Sequence, residues 1–105
     1  MDRDFRIELQ VEEDTQVIAV HGDVDIATAS HLSKMLRGVC EDGAKDVVLD
    51  LRGVNFLDSV GLRAMLEAMD VCQKHDAQFV VVPNPIVHRL FEVTGLLDAL
   101  PWREV

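Results

Sequence analysis

The sequence predicts an α/β domain built on a parallel or mixed sheet, and three observations carry that expectation. Stretches in which apolar and polar residues alternate give way to stretches with apolar residues three and four positions apart. Glycine and proline signals at Gly22, Gly43, Gly53, Pro83 and Gly95 punctuate them, giving the order β-β-α-β-α-β-α. The chain has 105 residues and 49% apolar composition, which suits one core, so residues 1–105 read as a single domain. Strands that alternate with helices imply right-handed crossovers between parallel neighbours.

Each element has its own reason. Phe5–Val11 alternates apolar and polar residues, as a half-buried strand does. Glu12–Thr15 is a polar turn, and Gln16–His21 is a second, β-branched strand ended by Gly22, so the two read as an antiparallel pair. From Asp25 to Cys40 the period becomes helical, with Ala29, Leu32, Leu36 and Val39 on one stripe and Asp25 or Thr28 as cap. Asp46–Leu51 reads as a central strand broken by Arg52-Gly53. A second helix spans about Ser59 to His75, and a further strand, Gln78–Val82, ends at Pro83. Asn84-Pro85 is a helix start and Gly95 a helix stop, leaving a weak final segment with Pro101 and Trp102.

Charge excludes several functions. Ten Lys and Arg against nineteen Asp and Glu give a formal charge of −9, and no basic run exists. Neither a nucleic acid nor an anionic membrane surface is an expected partner. The N-terminus lacks the apolar segment of a signal peptide, and the longest apolar runs, Val17–Val20 and Phe79–Val82, are far shorter than a membrane span. A soluble, cytoplasmic protein is the expectation. Cys40 and Cys72 fall within helix-like patterns and read as buried thiols.

The informative stretch runs from Asp50 to Leu62 and sets a serine between a strand end and a helix start. On a helical wheel Leu62, Met65, Met69 and Cys72 face the core, while Ser59, Arg63, Glu67, Asp70 and Lys74 face away. Arg63 with Glu67, and Asp70 with Lys74, are spaced to pair. Leu66 lies at the edge of the polar face, where a partner would bury it. Ser59 has two readings. It is the N-cap of its helix, or Asp58 is the cap and the Ser59 hydroxyl is free to accept a phosphoryl group. A hydrolase elbow fails because the register Leu57-Asp58-Ser59-Val60-Gly61 lacks the first glycine, and there is no P-loop.

A second cluster, His21-Gly22-Asp23-Val24-Asp25, reads first as a glycine turn with a helix cap, and second as a polar patch beside Ser59. A metal site from His21, Asp23 and Asp25 has no supporting ligand spacing, so no metal or other cofactor is expected. His31, His75 and His88 read as solvated surface residues, and Met35, Met65 and Met69 as core.

These residues resemble the STAS domain, and within it the bacterial anti-sigma factor antagonists. The resemblance spans about Phe5 to Leu100. It rests on Gly22-Asp23-Val24-Asp25, on Val48–Leu51 leading into Val54–Leu62, and on Asn84–Phe91 with Thr94-Gly95-Leu96. It implies a mixed sheet of about four to five strands with helices mainly on one face. It also implies that Ser59 of Asp-Ser-x-Gly is phosphorylated by an anti-sigma factor serine kinase, which the unphosphorylated chain binds to release a sigma factor. A serine phosphatase would reset the switch. Many relatives carry a second Ser or Thr after the acceptor, and here Val60 leaves one acceptor. The implied partner-binding residues are Asp23, Asp25, Asp58, Ser59, Gly61, Leu62, Arg63 and Leu66, with no catalytic residue. The alternative within the same family is a non-switching scaffold subunit of a signalling or lipid-transport complex.

Overall fold

The computed structural model describes residues 5–98 and 101–102. Seven elements follow one another: β1 (Arg6–Glu12), β2 (Thr15–Val24), α1 (Ala29–Glu41), β3 (Asp46–Leu57), α2 (Ser59–Lys74), β4 (Gln78–Val82) and α3 (Pro85–Thr94). The strands form one sheet in the order β1-β2-β3-β4. β1 and β2 are antiparallel, whereas β2–β3 and β3–β4 are parallel, so the sheet is mixed. Trp102 adds a single parallel bridge to Val81, and Val81 N–H donates to Pro101 C=O at 2.8 Å.

The core lies on the side of the sheet that carries the helices. Ile18 and Val20 of β2, Leu49 and Leu51 of β3, and Val81 of β4 join Leu32 and Leu36 of α1, Met65 and Ala68 of α2, and Val87 and Phe91 of α3 in one buried cluster. Helices therefore pack mainly on one face, where alternate strand residues present a continuous apolar floor. At roughly 1.5–3 kcal/mol for each fully buried large apolar side chain, this layer outweighs any single polar contact. The α3 boundaries match the expected ones. Asn84 Oδ1 accepts from Val87 N–H at 2.8 Å, Pro85 opens the helix, and Gly95 closes it in the left-handed region at φ 76°.

Five local expectations are corrected. β2 does not stop at Gly22 but continues to Val24, because bulges between Ala19 and His21 and between Gly22 and Asp23 re-aim the strand without ending it. Gly22, at φ 94°, supplies the conformation that this irregularity needs. β3 does not break at Arg52-Gly53 but runs to Leu57, since Gly22, Asp23 and Val24 pair with Val54, Phe56 and Leu57. Gly53 lies under the His21 ring, where a Cβ would collide, so this glycine marks a close approach.

α1 begins at Ala29, after a turn from Asp25 to Thr28, rather than at Asp25. Cys40 and Cys72 are buried as expected but are not thiols. The ends of α1 and α2 lie side by side and the two cysteines pair as a disulfide, with Cα atoms 4.9 Å apart. Among the surface histidines, His88 is half-buried, with its ring edge-on to Trp102 at 4.7 Å, and so departs from the solvated reading.

Candidate functional site

The ends of β2 and β3 carry the site. Val24 and Leu57 are cross-strand neighbours, and Asp58 N–H donates to Val24 C=O at 3.2 Å. That bond brings the turn before α1 alongside the start of α2, so two segments distant in sequence share one edge of the molecule.

At the start of α2 the structure decides which residue caps the helix. Asp58 has extended backbone, and its Oδ1 accepts from Val60 N–H and Gly61 N–H, both at 3.0 Å. It is the cap, using the carboxylate that helix N-termini favour. Ser59 is the first helical residue and is exposed, and its hydroxyl makes no hydrogen bond among the described residues. Gly61 explains how α2 can start so close to the sheet. A Cβ there would lie 2.6 Å from Val24 Cγ1 and 2.7 Å from Leu57 Cδ1.

At the start of α1 the polar groups are used internally. Thr28 is 2% exposed. Its hydroxyl donates to Asp23 C=O at 2.8 Å and accepts from Asp25 N–H at 2.9 Å. Asp25 Oδ1 accepts from Ala27 N–H at 2.9 Å and from Thr28 N–H at 3.2 Å. Asp25 thus shapes the turn, and Asp23, half-buried next to Phe56 on β3, is held there through its carbonyl. His21 turns to the opposite neighbour, its Nε2 lying 2.8 Å from Glu8 Oε1. Of the three residues weighed for a metal, Asp23 and Asp25 are tied together through the Thr28 hydroxyl while His21 turns away to Glu8, and among the described residues no group of three or more ligand-type side chains converges.

The implied partner-binding residues separate into two kinds. Ser59 and Arg63 are exposed one helical turn apart, and Asp23, Asp25, Asp58 and Leu66 are half-buried beside them. Gly61 and Leu62 are buried and support the surface from below. The Asp70–Lys74 pair closes at 3.0 Å, and no Arg63–Glu67 pair forms among the described residues.

Sequence reasoning passed over three exposed apolar side chains on the same edge: Ile26 at 77%, Phe56 at 49% and Val60 at 38%. For Ile26 and Val60 the signal was an apolar residue immediately after a polar one, Asp25 and Ser59 respectively, and Phe56 follows Asn55 in the same way within β3. Phe56 also opens a groove of about 280 Å³ against Ile86, Leu90 and Val93 of α3.

One ion pair on β3 displaces the pKa values of both its partners. The Arg52 guanidinium holds the Asp50 carboxyl below the usual range, with contacts of 2.9 and 2.8 Å, and Asp50 in turn raises Arg52.

Comparison with known proteins agrees with this architecture. The chain is 27% identical over 97 residues to the anti-sigma-B factor antagonist of Staphylococcus aureus, covering 91% of this chain and 90% of that protein. An anti-sigma factor antagonist from Mycobacterium paratuberculosis superposes with a TM-score of 0.85 and 29% identity, over 93% of this chain and 84% of that one. The unphosphorylated anti-sigma factor antagonist SpoIIAA shares the fold, with a TM-score of 0.78 and 21% identity over 96% of this chain and 87% of that one. The family model described as the STAS domain matches residues 6–104, and the chain belongs to that family.

Proposed function

We propose that this chain is an anti-sigma factor antagonist that works by binding, without catalysis of its own. In this reading the unphosphorylated form docks on an anti-sigma factor serine kinase and releases the sigma factor. That kinase phosphorylates Ser59, docking ends, and a serine phosphatase restores it. The observation that carries the reading is the free Ser59 hydroxyl. Asp58 satisfies the helix terminus, so Ser59 can gain a phosphoryl group without giving up a structural bond.

The energetics favour a switch that spares the fold. A phosphoryl group adds about −1.5 to −2 charges. At the first turn of α2 the helix dipole favours that charge by about 0.3–1 kcal/mol. Asp58 opposes it, and Arg63 one turn on offers an opposite charge. In a docked interface that supplies no Arg or Lys, the same dianion would be desolvated with only Arg63 of its own helix near it. A loss of about 3 kcal/mol there cuts affinity about 150-fold. Ile26, Phe56 and Val60 supply the apolar surface that surrounds such a contact.

The test combines phosphorylation with binding. Incubation with ATP and candidate kinases of the same genome, read by intact mass, is expected to add one phosphoryl group to the wild type and none to Ser59→Ala. Ser59→Ala is expected to bind the kinase without release, and Ser59→Asp at least tenfold more weakly, about 1.4 kcal/mol. Equal affinity of Ser59→Asp and wild type for a kinase that modifies Ser59 would remove charge as the switch. No modification by any such kinase would favour the scaffold role.

A further inference from the structure

β1 is the terminal strand of the sheet, with β2 on one side and no strand on the other among the described residues. The two-residue turn Glu13-Asp14 closes on the pair Glu12 and Thr15. In the alternation of an antiparallel ladder, Glu12, Gln10, Glu8 and Arg6 then bond to β2, and Ile7, Leu9 and Val11 turn their N–H and C=O groups outward. The side chains of Ile7 and Leu9 lie opposite the buried Val20 and Ile18, on the helix-bearing face. Leu9 is nevertheless 44% exposed and Val11 61% exposed. The core face therefore runs on, uncovered, to an edge whose outward hydrogen-bonding groups are intact.

We propose that this edge pairs with the same edge of a second copy of the chain, antiparallel and centred on Leu9. The residues of β1 are self-complementary in that register. Arg6 falls opposite the second copy's Glu12, twice by symmetry, Ile7 falls opposite Val11, Glu8 opposite Gln10, and Leu9 opposite Leu9. All seven residues of the strand pair, and no like charges stand directly opposite. The outward groups of Ile7, Leu9 and Val11 meet those of Val11, Leu9 and Ile7, so the hydrogen-bonding phase also matches. The contact is isologous and closes on itself, so a two-fold dimer forms and open-ended stacking does not. Its result is one continuous sheet that displays two Ser59 edges. The overall charge of −9 on each copy opposes the contact, so association strengthens as added salt screens that repulsion.

The inference stands independently of the role given to Ser59, and a charge swap tests it. Sedimentation velocity from about 10 μM to 1 mM protein covers the range of weak pairs. The mass of wild type is expected to rise there from one chain to two. Arg6→Glu places acids opposite acids and is expected to weaken association at least tenfold, with an unchanged circular dichroism spectrum. The double variant Arg6→Glu with Glu12→Arg restores the complement and is expected to return to about the wild-type constant. A wild type that stays monomeric throughout, a dimer indifferent to Arg6→Glu, or a double variant that fails to recover would each overturn the proposal.

Discussion

Two hydroxyl side chains stand at the starts of neighbouring helices and meet opposite fates. Thr28 precedes α1 and is 2% exposed, and its hydroxyl both donates and accepts within the protein. Ser59 opens α2, is exposed and bonds to nothing among the described residues. Both follow an aspartate that accepts backbone N–H groups, Asp25 for one and Asp58 for the other. The difference lies in where the aspartate sits. Asp58 is itself the cap, one residue before the helix, and relieves Ser59 of the role. Asp25 lies three residues before the cap position, so Thr28 must brace the turn back to Asp23. A hydroxyl becomes available for chemistry where a neighbour has taken its structural work.

The strongest way to break this contrast is to delete each hydroxyl. Thr28→Val keeps the shape and leaves Asp23 C=O and Asp25 N–H without their partner. A loss of about 2–3 kcal/mol in unfolding free energy is expected, read by urea denaturation. Ser59→Ala removes an exposed group with no bond and is expected to change stability by less than about 0.5 kcal/mol. Comparable losses from the two would show that Ser59 also has a structural role and is not free.

The cap itself gives a smaller effect and sharpens the comparison. Asp58→Ala is expected to cost about 1 kcal/mol of stability. It also removes the group that relieves Ser59, so Ser59 is drawn toward the vacated N–H groups and kinase modification slows. Asp58→Asn keeps a capping oxygen and separates the two effects. Its stability stays near wild type, and modification continues at a rate changed only by the lost charge. If Asp58→Ala were modified as fast as wild type, the cap would not control the availability of Ser59.

How much of this was legible in the sequence follows the range of the forces involved. The α3 boundaries were readable because Asn84, Pro85 and Gly95 act within one turn of themselves. The core face of α2 was readable because Met65 and Cys72 obey helical spacing, and both are fully buried. Gly22 and Gly53 misled, since a glycine in a strand reads locally as a stop. What keeps β2 and β3 going is their mutual pairing past those points, and for Gly53 the space it leaves for the His21 ring. The choice between Asp58 and Ser59 as cap was undetermined, because either side chain can accept the bond and only the backbone fixes which one does. The pairing of Cys40 with Cys72 depends on how α1 lies beside α2, which no local pattern encodes. Ile26 and Val60 looked like ordinary turn neighbours until the Asp58–Val24 bond set their segments side by side.

A third aspartate completes the comparison with the smallest effect. Asp50 Oδ1 accepts from Arg52 N–H at 3.0 Å, the same two-residue reach that Asp25 and Asp58 use, but it sits inside a strand and starts no helix. Its further partner is the Arg52 side chain, which lowers its pKa from the ordinary 3.8 against the opposing pull of partial burial. A carboxyl whose folded pKa is depressed stabilises the fold above its unfolded pKa, and that contribution fades as pH falls through the lower, folded value. Arg52→Ala removes the guanidinium, so the Asp50 pKa is expected to rise and the acid-side loss of stability to begin at higher pH. The guanidinium is solvent-exposed, so the change in stability at neutral pH is expected to be small. A carboxyl-detected NMR titration of both proteins reads the pKa directly. An Asp50 pKa unmoved by Arg52→Ala would assign the depression to the Arg52 backbone N–H and to the nearby His21 rather than to the guanidinium.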